Sequence, residues 1–174
     1  MRGFTPPLTL LDTNIVSADL NTRHPRHREV REALARLSPN TRTLISVITV
    51  GEMEFGLELA DQNGAHLVEL ETILSNVRQR DLLSPTRHTA YQYGQIKTAL
   101  AKKYCPKKSR FGRKRLPRWP QNWLDEVTNE LLQVDDNDLW IAAEAVTQNL
   151  VLLTTDPDFR RIRNAVPNLR LHFI

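Results

Sequence analysis

Leu8-Thr9-Leu10-Leu11-Asp12 is the stretch that decides the fold, because it places an acid directly after a short, mostly apolar run. Runs of this length are typical of buried strands. In a parallel α/β sheet the carboxyl ends of the strands converge on one edge, where ligands bind. The stretch therefore predicts a strand that delivers Asp12 to that edge.

Three further acids occupy comparable positions along the chain. Glu52 and Asp156 each follow another apolar run, and Asp138 opens a helix-patterned stretch. Four carboxylates gathered at one edge would repel one another unless a cation neutralised them, and a divalent ion with oxygen ligands does this well. The pattern predicts a metal site assembled by folding.

Strands alternate with helices along the chain, which favours a three-layer α/β/α fold with a central parallel sheet. Apolar runs predict strands at residues 8–11, 43–48, 81–84, 150–154 and 169–173. Helically spaced apolar residues predict helices at 28–37, 49–60, 65–77, 85–100, 123–134 and 138–148, with another beginning near Thr13. At 174 residues the chain is expected to form one domain over 1–174.

Bulk composition excludes several classes of protein. The chain is 40% hydrophobic and 25% charged, as in soluble globular proteins, and no apolar run approaches the roughly 20 residues needed to span a membrane. The N-terminal residues lack an apolar signal core, which argues against secretion. A single cysteine, Cys105, excludes an intramolecular disulfide and a multi-cysteine zinc site. We expect a cytoplasmic protein with no membrane association.

Each of the four acids also has a purely structural explanation. Asp12 is a natural helix cap, and Thr49 with Glu52 matches a capping box. Acids in a first helical turn, such as Asp138, are common because of the helix dipole, and Asp156 before a proline suits a turn. The coincidence of all four favours a functional site.

A basic segment divides the charge unevenly. Nine lysines or arginines and no acid lie between Lys102 and Arg118, so the rest of the chain carries fifteen basic and twenty acidic residues, a net charge of −5. Such a segment suits a polyanionic partner, since lysine and arginine displace counterions from phosphates. The candidate phosphate-binding residues are Lys107, Lys108, Arg110, Arg113, Lys114 and Arg115. A solvated loop remains an alternative.

Four segments, at residues 10–17, 45–57, 137–143 and 152–159, together resemble the motifs of PIN-domain ribonucleases. The resemblance is strongest to the VapC toxins of bacterial toxin–antitoxin pairs, and motif order and approximate spacing agree over nearly the whole chain. A departure is an insertion of about twenty residues, at about 105–124, which contains the basic segment. It predicts an RNA clamp in which Tyr104, Phe111 or Trp119 stacks on bases; a docking site for an acidic antitoxin tail is a further alternative.

The resemblance implies that Asp12, Glu52, Asp138 and Asp156 hold Mg²⁺ or Mn²⁺. It implies supporting roles for Asn14 and Thr154, which would orient ligands or water. Asp158 competes with Asp156 for the fourth position, and alignment with Thr154 favours Asp156. A homodimer and a cognate antitoxin are further implications.

The predicted function is therefore metal-dependent hydrolysis of RNA phosphodiester bonds by the toxin of a toxin–antitoxin pair. One alternative is a non-catalytic nucleic-acid-binding module whose acids are structural caps. Another is a phosphatase with a nucleophilic aspartate, but that class resembles Asp-x-Asp-x-Thr, and here Asn14 and Val16 occupy the second and third key positions.

Overall fold

The computed structural model describes residues 8–62, 67–110 and 116–174. These ranges contain strands β1 to β5 and helices α1 to α8, with one to three helices between successive strands. In chain order they are β1 (Leu8–Leu11), α1 (Thr13–Leu20), α2 (His27–Ala35), β2 (Arg42–Ser46), α3 (Val47–Gln62), α4 (Leu67–Arg78), β3 (Leu82–Leu83), α5 (Arg87–Tyr104), α6 (Pro106–Arg110), α7 (Asp136–Thr147), β4 (Val151–Thr154), α8 (Asp158–Ala165) and β5 (Arg170–Phe173). A 3-10 turn covers Pro120–Asn122.

The five strands form one sheet in the order β3-β2-β1-β4-β5. Strand β1 is central and pairs in parallel with β2 and β4, so that Leu11 lies opposite Ile45 on one side and Leu153 on the other. Strand β2 pairs in parallel with β3. The predicted α/β/α fold with a central parallel sheet is confirmed, and the sheet places the end of β1 between the ends of β2 and β4.

The chain forms two compact units that are interleaved in sequence. The first contains the described residues up to Ser84 together with Leu150–Thr155 and His172–Ile174. Its core is an apolar cluster contributed by strands β1, β2 and β4 and helices α1, α2 and α4. The buried members are Leu11, Ile15, Val16, Ala18, Val30, Ile45, Val77 and Leu153.

The second unit contains Pro85–Asn149 and Asp156–Leu171. Helices α5, α7 and α8 pack on one another in it, and each contributes fully buried apolar side chains. Examples are Ile96 and Leu100 from α5, Leu139 and Ile141 from α7, and Phe159 and Ile162 from α8. Helix α5 begins with a capping box, in which the side chains of Thr86 and Thr89 each accept the other residue's backbone N–H.

The predicted helix over 123–134 is wrong. The segment instead reverses direction, with an antiparallel bridge between Leu124 and Leu131 and a left-handed backbone at Asn129, where φ is 59°. The Asp125 carboxylate accepts the N–H of Val127 at 2.8 Å, which satisfies the turn locally. Val127 is 87% exposed, so the apolar spacing that suggested a helix did not reflect one buried face.

Helix α8 was not predicted from the sequence. Its apolar residues Phe159 and Ile162 are three apart, and buried Val166 follows four residues later. This is helical spacing, but the Asp-Pro turn signal before it favoured an irregular segment. The predicted start of α4 after Gly64 lies outside the described residues.

Candidate functional site

Asp12 lies at the junction of β1 and α1 with only 2% of its surface exposed. It caps α1, and its Oδ1 accepts the Thr13 N–H at 2.8 Å. Its Oδ2 accepts the hydroxyl of Thr154, at the end of β4, at 2.7 Å. Its own N–H donates to the Leu153 carbonyl. Both carboxylate oxygens are therefore fixed by donors from adjacent elements, and capping is compatible with a ligand role.

Glu52 is held by α1 and does not close a capping box. Helix α3 begins at Val47, two residues before Thr49, and the Ser46 hydroxyl accepts the N–H of Ile48. Glu52 Oε2 instead accepts the Thr13 hydroxyl at 2.5 Å. The interpretation of Thr49 and Glu52 as the capping box that opens this helix is wrong, because the strand continues directly into the helix and Thr49 lies inside its first turn.

Thr13 is a site residue that sequence reasoning missed. Its N–H binds Asp12, while its hydroxyl contacts both Glu52 and the buried hydroxyl of Thr49, 3.0 Å away. It therefore links the two acids of the first unit. The available signal was its position beside Asp12, which was attributed to helix initiation alone. Asn14, on the next position of α1, is exposed.

Asp138 lies in the first turn of α7 and has the structural role that its position suggested. Asp135 caps the helix, and Asp138 accepts the Asp135 N–H at 3.1 Å to complete a capping box. Its side chain is half-buried. Leu139 and Ile141, fully buried, hold this turn of the helix in the core of the second unit.

Asp156 and Asp158 flank Pro157 at the start of α8. Asp156 Oδ1 accepts the Asp158 N–H at 2.8 Å, the Asx turn expected at this position. Burial, assisted by the negative charge of Asp156, raises the pKa of Asp158 above its ordinary value, although Arg161 opposes the shift. Both carboxyl groups are half-buried.

The predicted acids are thus distributed as two pairs. Asp12 and Glu52 lie in the first unit and share Thr13, whereas Asp138 and Asp156 lie in the second. Within either unit, the described residues contain no group of three or more His, Cys, Asp or Glu arranged to hold a metal ion.

The basic segment begins in the last turn of α5, with Lys102 and Lys103, and continues into the short helix α6. Exposed Lys107 and Arg110 and half-buried Lys108 lie on it. The Glu126 carboxylate accepts the N–H groups of Lys107 and Lys108, each at 2.9 Å, and so fixes the start of the helix. Phe111 and the other three predicted phosphate-binding residues, Arg113, Lys114 and Arg115, lie outside the described residues.

The described aromatic candidates differ in their exposure. The Tyr104 hydroxyl donates to the Arg161 carbonyl and the side chain is half-buried. Trp119 is 41% exposed, with the Arg118 guanidinium carbon 4.6 Å from its ring centre. Of these two, only Trp119 presents a ring to solvent that a base could stack on.

Sequence reasoning also missed a polar and aromatic network that includes Asp136, at the start of α7. The rings of Tyr93, on α5, and Trp140, on α7, are stacked with centres 4.2 Å apart. Lys97 Nζ donates to the Tyr93 hydroxyl and to Asp136 Oδ1, both at 2.7 Å. Burial lowers the pKa of Lys97, but bonds to Asp136 and Tyr93 outweigh it and the pKa is raised. Lys97 is therefore cationic at neutral pH.

No helix in the described parts of the chain is both long and apolar enough to cross a membrane.

Comparison with known proteins places this chain in a family. The PIN domain model matches residues 9–165. The chain is similar to Ribonuclease VapC1 of Haemophilus influenzae (strain R2866), with 28% identity over 157 residues, covering 88% of this chain and 90% of the relative. It is also similar to Ribonuclease VapC2 of Rickettsia felis, with 23% identity over 158 residues, covering 90% and 93%.

Solved structures share the fold. VapBC2 from Rickettsia felis bound to a promoter DNA fragment has a TM-score of 0.62 at 23% identity, covering 95% of this chain and 98% of the other. VapBC-1 from nontypeable Haemophilus influenzae has a TM-score of 0.60 at 24% identity, covering 95% and 97%. The family match over most of the chain, the order of its acidic motifs and the parallel sheet that carries Asp12 agree: this chain belongs to the PIN domain family.

Proposed function

We propose that this protein is a metal-dependent endoribonuclease that hydrolyses RNA phosphodiester bonds. The observation that carries the proposal is the buried Asp12 carboxylate at the carboxyl end of the central strand, with both oxygens held by Thr13 and Thr154. An acid kept buried and oriented at the ligand-binding edge of a parallel sheet suits ion binding better than capping alone. The ribonuclease names of two relatives support the same activity.

The donor set fits a hard divalent cation. The proposed ligands are the carboxylates Asp12, Glu52, Asp138 and Asp156, and oxygen ligands favour Mg²⁺ or Mn²⁺ over zinc. When bound, such an ion lowers the pKa of a water molecule and offsets charge on the scissile phosphate. We propose Asp156 rather than Asp158 as the fourth acid, because its position relative to Thr154, two residues earlier, matches the family motif.

Other side chains of this protein would orient the metal ligands and bind the RNA. Thr154 holds one Asp12 oxygen, and Thr13 holds Glu52; Asn14 is a further supporting residue. RNA phosphates would be bound by the basic residues of the insertion, which are Lys107, Lys108 and Arg110 on α6 together with Arg113, Lys114 and Arg115. Phosphate contacts supply affinity and position, whereas base choice needs other surfaces.

The biological setting is part of the same proposal. Three of the similar solved structures are VapBC assemblies, and one of these is described as a member of the VapBC family of toxin–antitoxin systems. We infer that this chain is the toxin of such a pair, bound by a cognate antitoxin, forming a homodimer and acting on RNA in the cytoplasm. A single domain over 1–174 with a basic insertion at about 105–124 completes the proposal.

Asp12→Asn tests the site. The change keeps the side-chain shape and removes a ligand charge. We expect RNA cleavage in Mg²⁺ to fall by at least about 100-fold, since removal of a group that merely orients a metal ligand already costs roughly 10- to 100-fold. The measurement is the cleavage rate of a transcribed RNA as Mg²⁺ is titrated, with Asp61→Asn on the exposed surface of α3 as the matched control.

Two outcomes would oppose the proposal. Cleavage by Asp12→Asn at the parental rate would show that the site is misassigned. Retention of RNA in EDTA without cleavage at any Mg²⁺ or Mn²⁺ concentration would favour a non-catalytic binding module.

A further inference from the structure

A partly exposed aromatic and cationic surface lies beside the first turn of α7. We define the Trp119 patch as Tyr93, Lys97, Arg118, Trp119 and Trp140, all in the second unit. Its two ring systems are the stacked pair of Tyr93 and Trp140 and the solvent-facing indole of Trp119. Its two cations border the indole, Arg118 at 4.6 Å and Lys97 at 6.0 Å from the ring centre.

The backbone that carries Trp119 is anchored, although its side chain is exposed. Pro120 is buried and opens the 3-10 turn, in which the Asn122 N–H donates to the Trp119 carbonyl at 3.1 Å. The indole of buried Trp123 donates to the Pro117 carbonyl at 2.7 Å. The Trp119 ring is thus exposed to solvent while the backbone that carries it is held by hydrogen bonds. A base that stacks on this ring would therefore cost little backbone entropy in the protein.

Lys97 combines a fixed position with unused donor capacity. An ammonium group has three hydrogens, and Tyr93 and Asp136 account for two of them. Its side chain is 23% exposed. The third hydrogen can be donated to an anionic oxygen of a bound ligand. The ammonium stays charged because its bonds to Asp136 and Tyr93 raise its pKa.

The patch contacts the first turn of α7 through Asp136. Lys97 binds Asp136, which opens α7, and this turn of the helix also carries Asp138. A ligand held by Trp119 and Lys97 would therefore lie beside the start of α7.

We infer that the Trp119 patch is a nucleotide subsite of the RNA substrate, in which Trp119 stacks on an unpaired base and Lys97 donates to an adjoining phosphate. The inference rests on the proposed ribonuclease activity. It makes single-stranded RNA the substrate class, because a base can reach the indole only when it is free of its own partner strand.

The experiment measures binding in EDTA, where no cleavage occurs. The probes are a fluorescein-labelled single-stranded 12-nucleotide RNA and an abasic ribose-phosphate oligomer of the same length, both followed by fluorescence anisotropy. Trp119→Ala is expected to weaken binding of the RNA about tenfold or more and to leave the abasic oligomer unaffected. Trp119→Phe should retain most of the RNA affinity. Tyr91→Ala, which removes a 69% exposed ring elsewhere on α5, is the matched control and should change neither.

Lys97→Gln tests the phosphate contact, since glutamine preserves hydrogen bonding to Asp136 without the charge. We expect equal weakening of both oligomers and a smaller salt dependence. The inference would be overturned if Trp119→Ala bound RNA as tightly as the parent, or if it lost as much affinity for the abasic oligomer as for RNA. Neither result would bear on whether the parent protein cleaves RNA. Failure of the parent to cleave RNA in Mg²⁺ would instead overturn the proposed function, so the two failures are distinguishable.

Discussion

At the scale of the residue, the position of Asp12 depends on two threonines from different parts of the chain. Thr13 is its neighbour in sequence, but Thr154 is 142 residues away and is fully buried. A buried carboxylate without a donor would be costly, because desolvation penalises the charge. Thr154 therefore has a structural role, and we propose that it also positions Asp12 for metal binding.

Thr154→Val removes the hydroxyl at nearly constant volume. We expect a loss of about 1–3 kcal/mol in the free energy of unfolding, because a buried acceptor loses its donor. We also expect about 10- to 100-fold less cleavage, as for other groups that orient metal ligands. Urea denaturation and cleavage assays would measure the two effects.

The positioning role has its own readout. If Thr154 orients a metal ligand, Thr154→Val should raise the Mg²⁺ concentration needed for half-maximal cleavage, and Thr154→Ser should restore it. Thr72→Val is the control, since Thr72 is exposed on α4 and its hydroxyl donates within the same helix, to the Val68 carbonyl. An unchanged Mg²⁺ dependence in Thr154→Val would leave Thr154 with a structural role alone.

At the scale of the element, the start of helix α6 within the basic segment is held by a turn that follows it in sequence. Glu126 accepts two N–H groups at the beginning of α6, and the N–H of Glu126 itself donates to the Tyr104 carbonyl at the end of α5 at 2.8 Å. One residue therefore joins the reversal after the insertion to the helices before it. These hydrogen bonds fix the backbone of α6, which carries Lys107, Lys108 and Arg110.

Glu126 makes the stability of this region depend on pH. Burial alone raises its pKa, but the N–H groups of Lys108 and Lys107 outweigh that effect and hold the pKa below the ordinary value of 4.5. A lowered pKa in the folded state means that the contribution to stability is present above pH 4.5 and is lost as pH falls through the folded value.

Glu126→Gln should therefore lower the melting temperature at pH 7, and the difference from the parent should shrink as pH falls below about 4.5. Thermal denaturation from pH 3 to pH 7 measures this. Glu130→Gln, in the same reversal but exposed, is the control. A difference that is independent of pH would contradict the charge-based role of Glu126.

At the scale of the whole molecule, the uneven charge predicts how RNA affinity responds to salt. The chain carries a net charge of +4 while the part outside residues 102–118 carries −5. Counterion release from a single strand gives a slope of about 0.7 per neutralised phosphate in a plot of log affinity against log salt. Most of the salt dependence should therefore originate in the basic segment.

Replacing Lys107, Lys108 and Arg110 together by glutamine should reduce this slope by up to about 2, with weaker binding at low salt. Anisotropy titrations between 50 and 300 mM salt, roughly the range over which such slopes are measured, provide the test. A control variant with the same change in charge replaces three exposed arginines outside the segment by glutamine, at Arg28, Arg36 and Arg87. An equal reduction in the control would show that the segment does not bind phosphate specifically.

The fold class, the strands and the sequence positions of the proposed site were all predictable from local pattern. Apolar runs marked β1, β2 and β4 because buried parallel strands need apolar residues on both faces. Asp12 and Asp156 come shortly after strands and Asp138 lies in the first turn of a helix, but Glu52 lies in the second turn of α3, because that helix begins at Val47 rather than at Thr49. The family motifs were found in the same segments. The helix over 123–134 failed because apolar spacing alone does not distinguish one buried helical face from a reversal.

What the sequence by itself determined is which residues form strands, which acids follow them and where the positive charge is concentrated. Those features depend on neighbours in the chain and on composition. Tertiary structure alone decided that Thr154 binds Asp12, that Thr13 binds Glu52, and that Lys97 joins Tyr93 and Asp136 beside Trp119. These contacts form between elements that only folding brings together, and side-chain hydrogen bonds of about 3 Å leave no periodic pattern in the sequence.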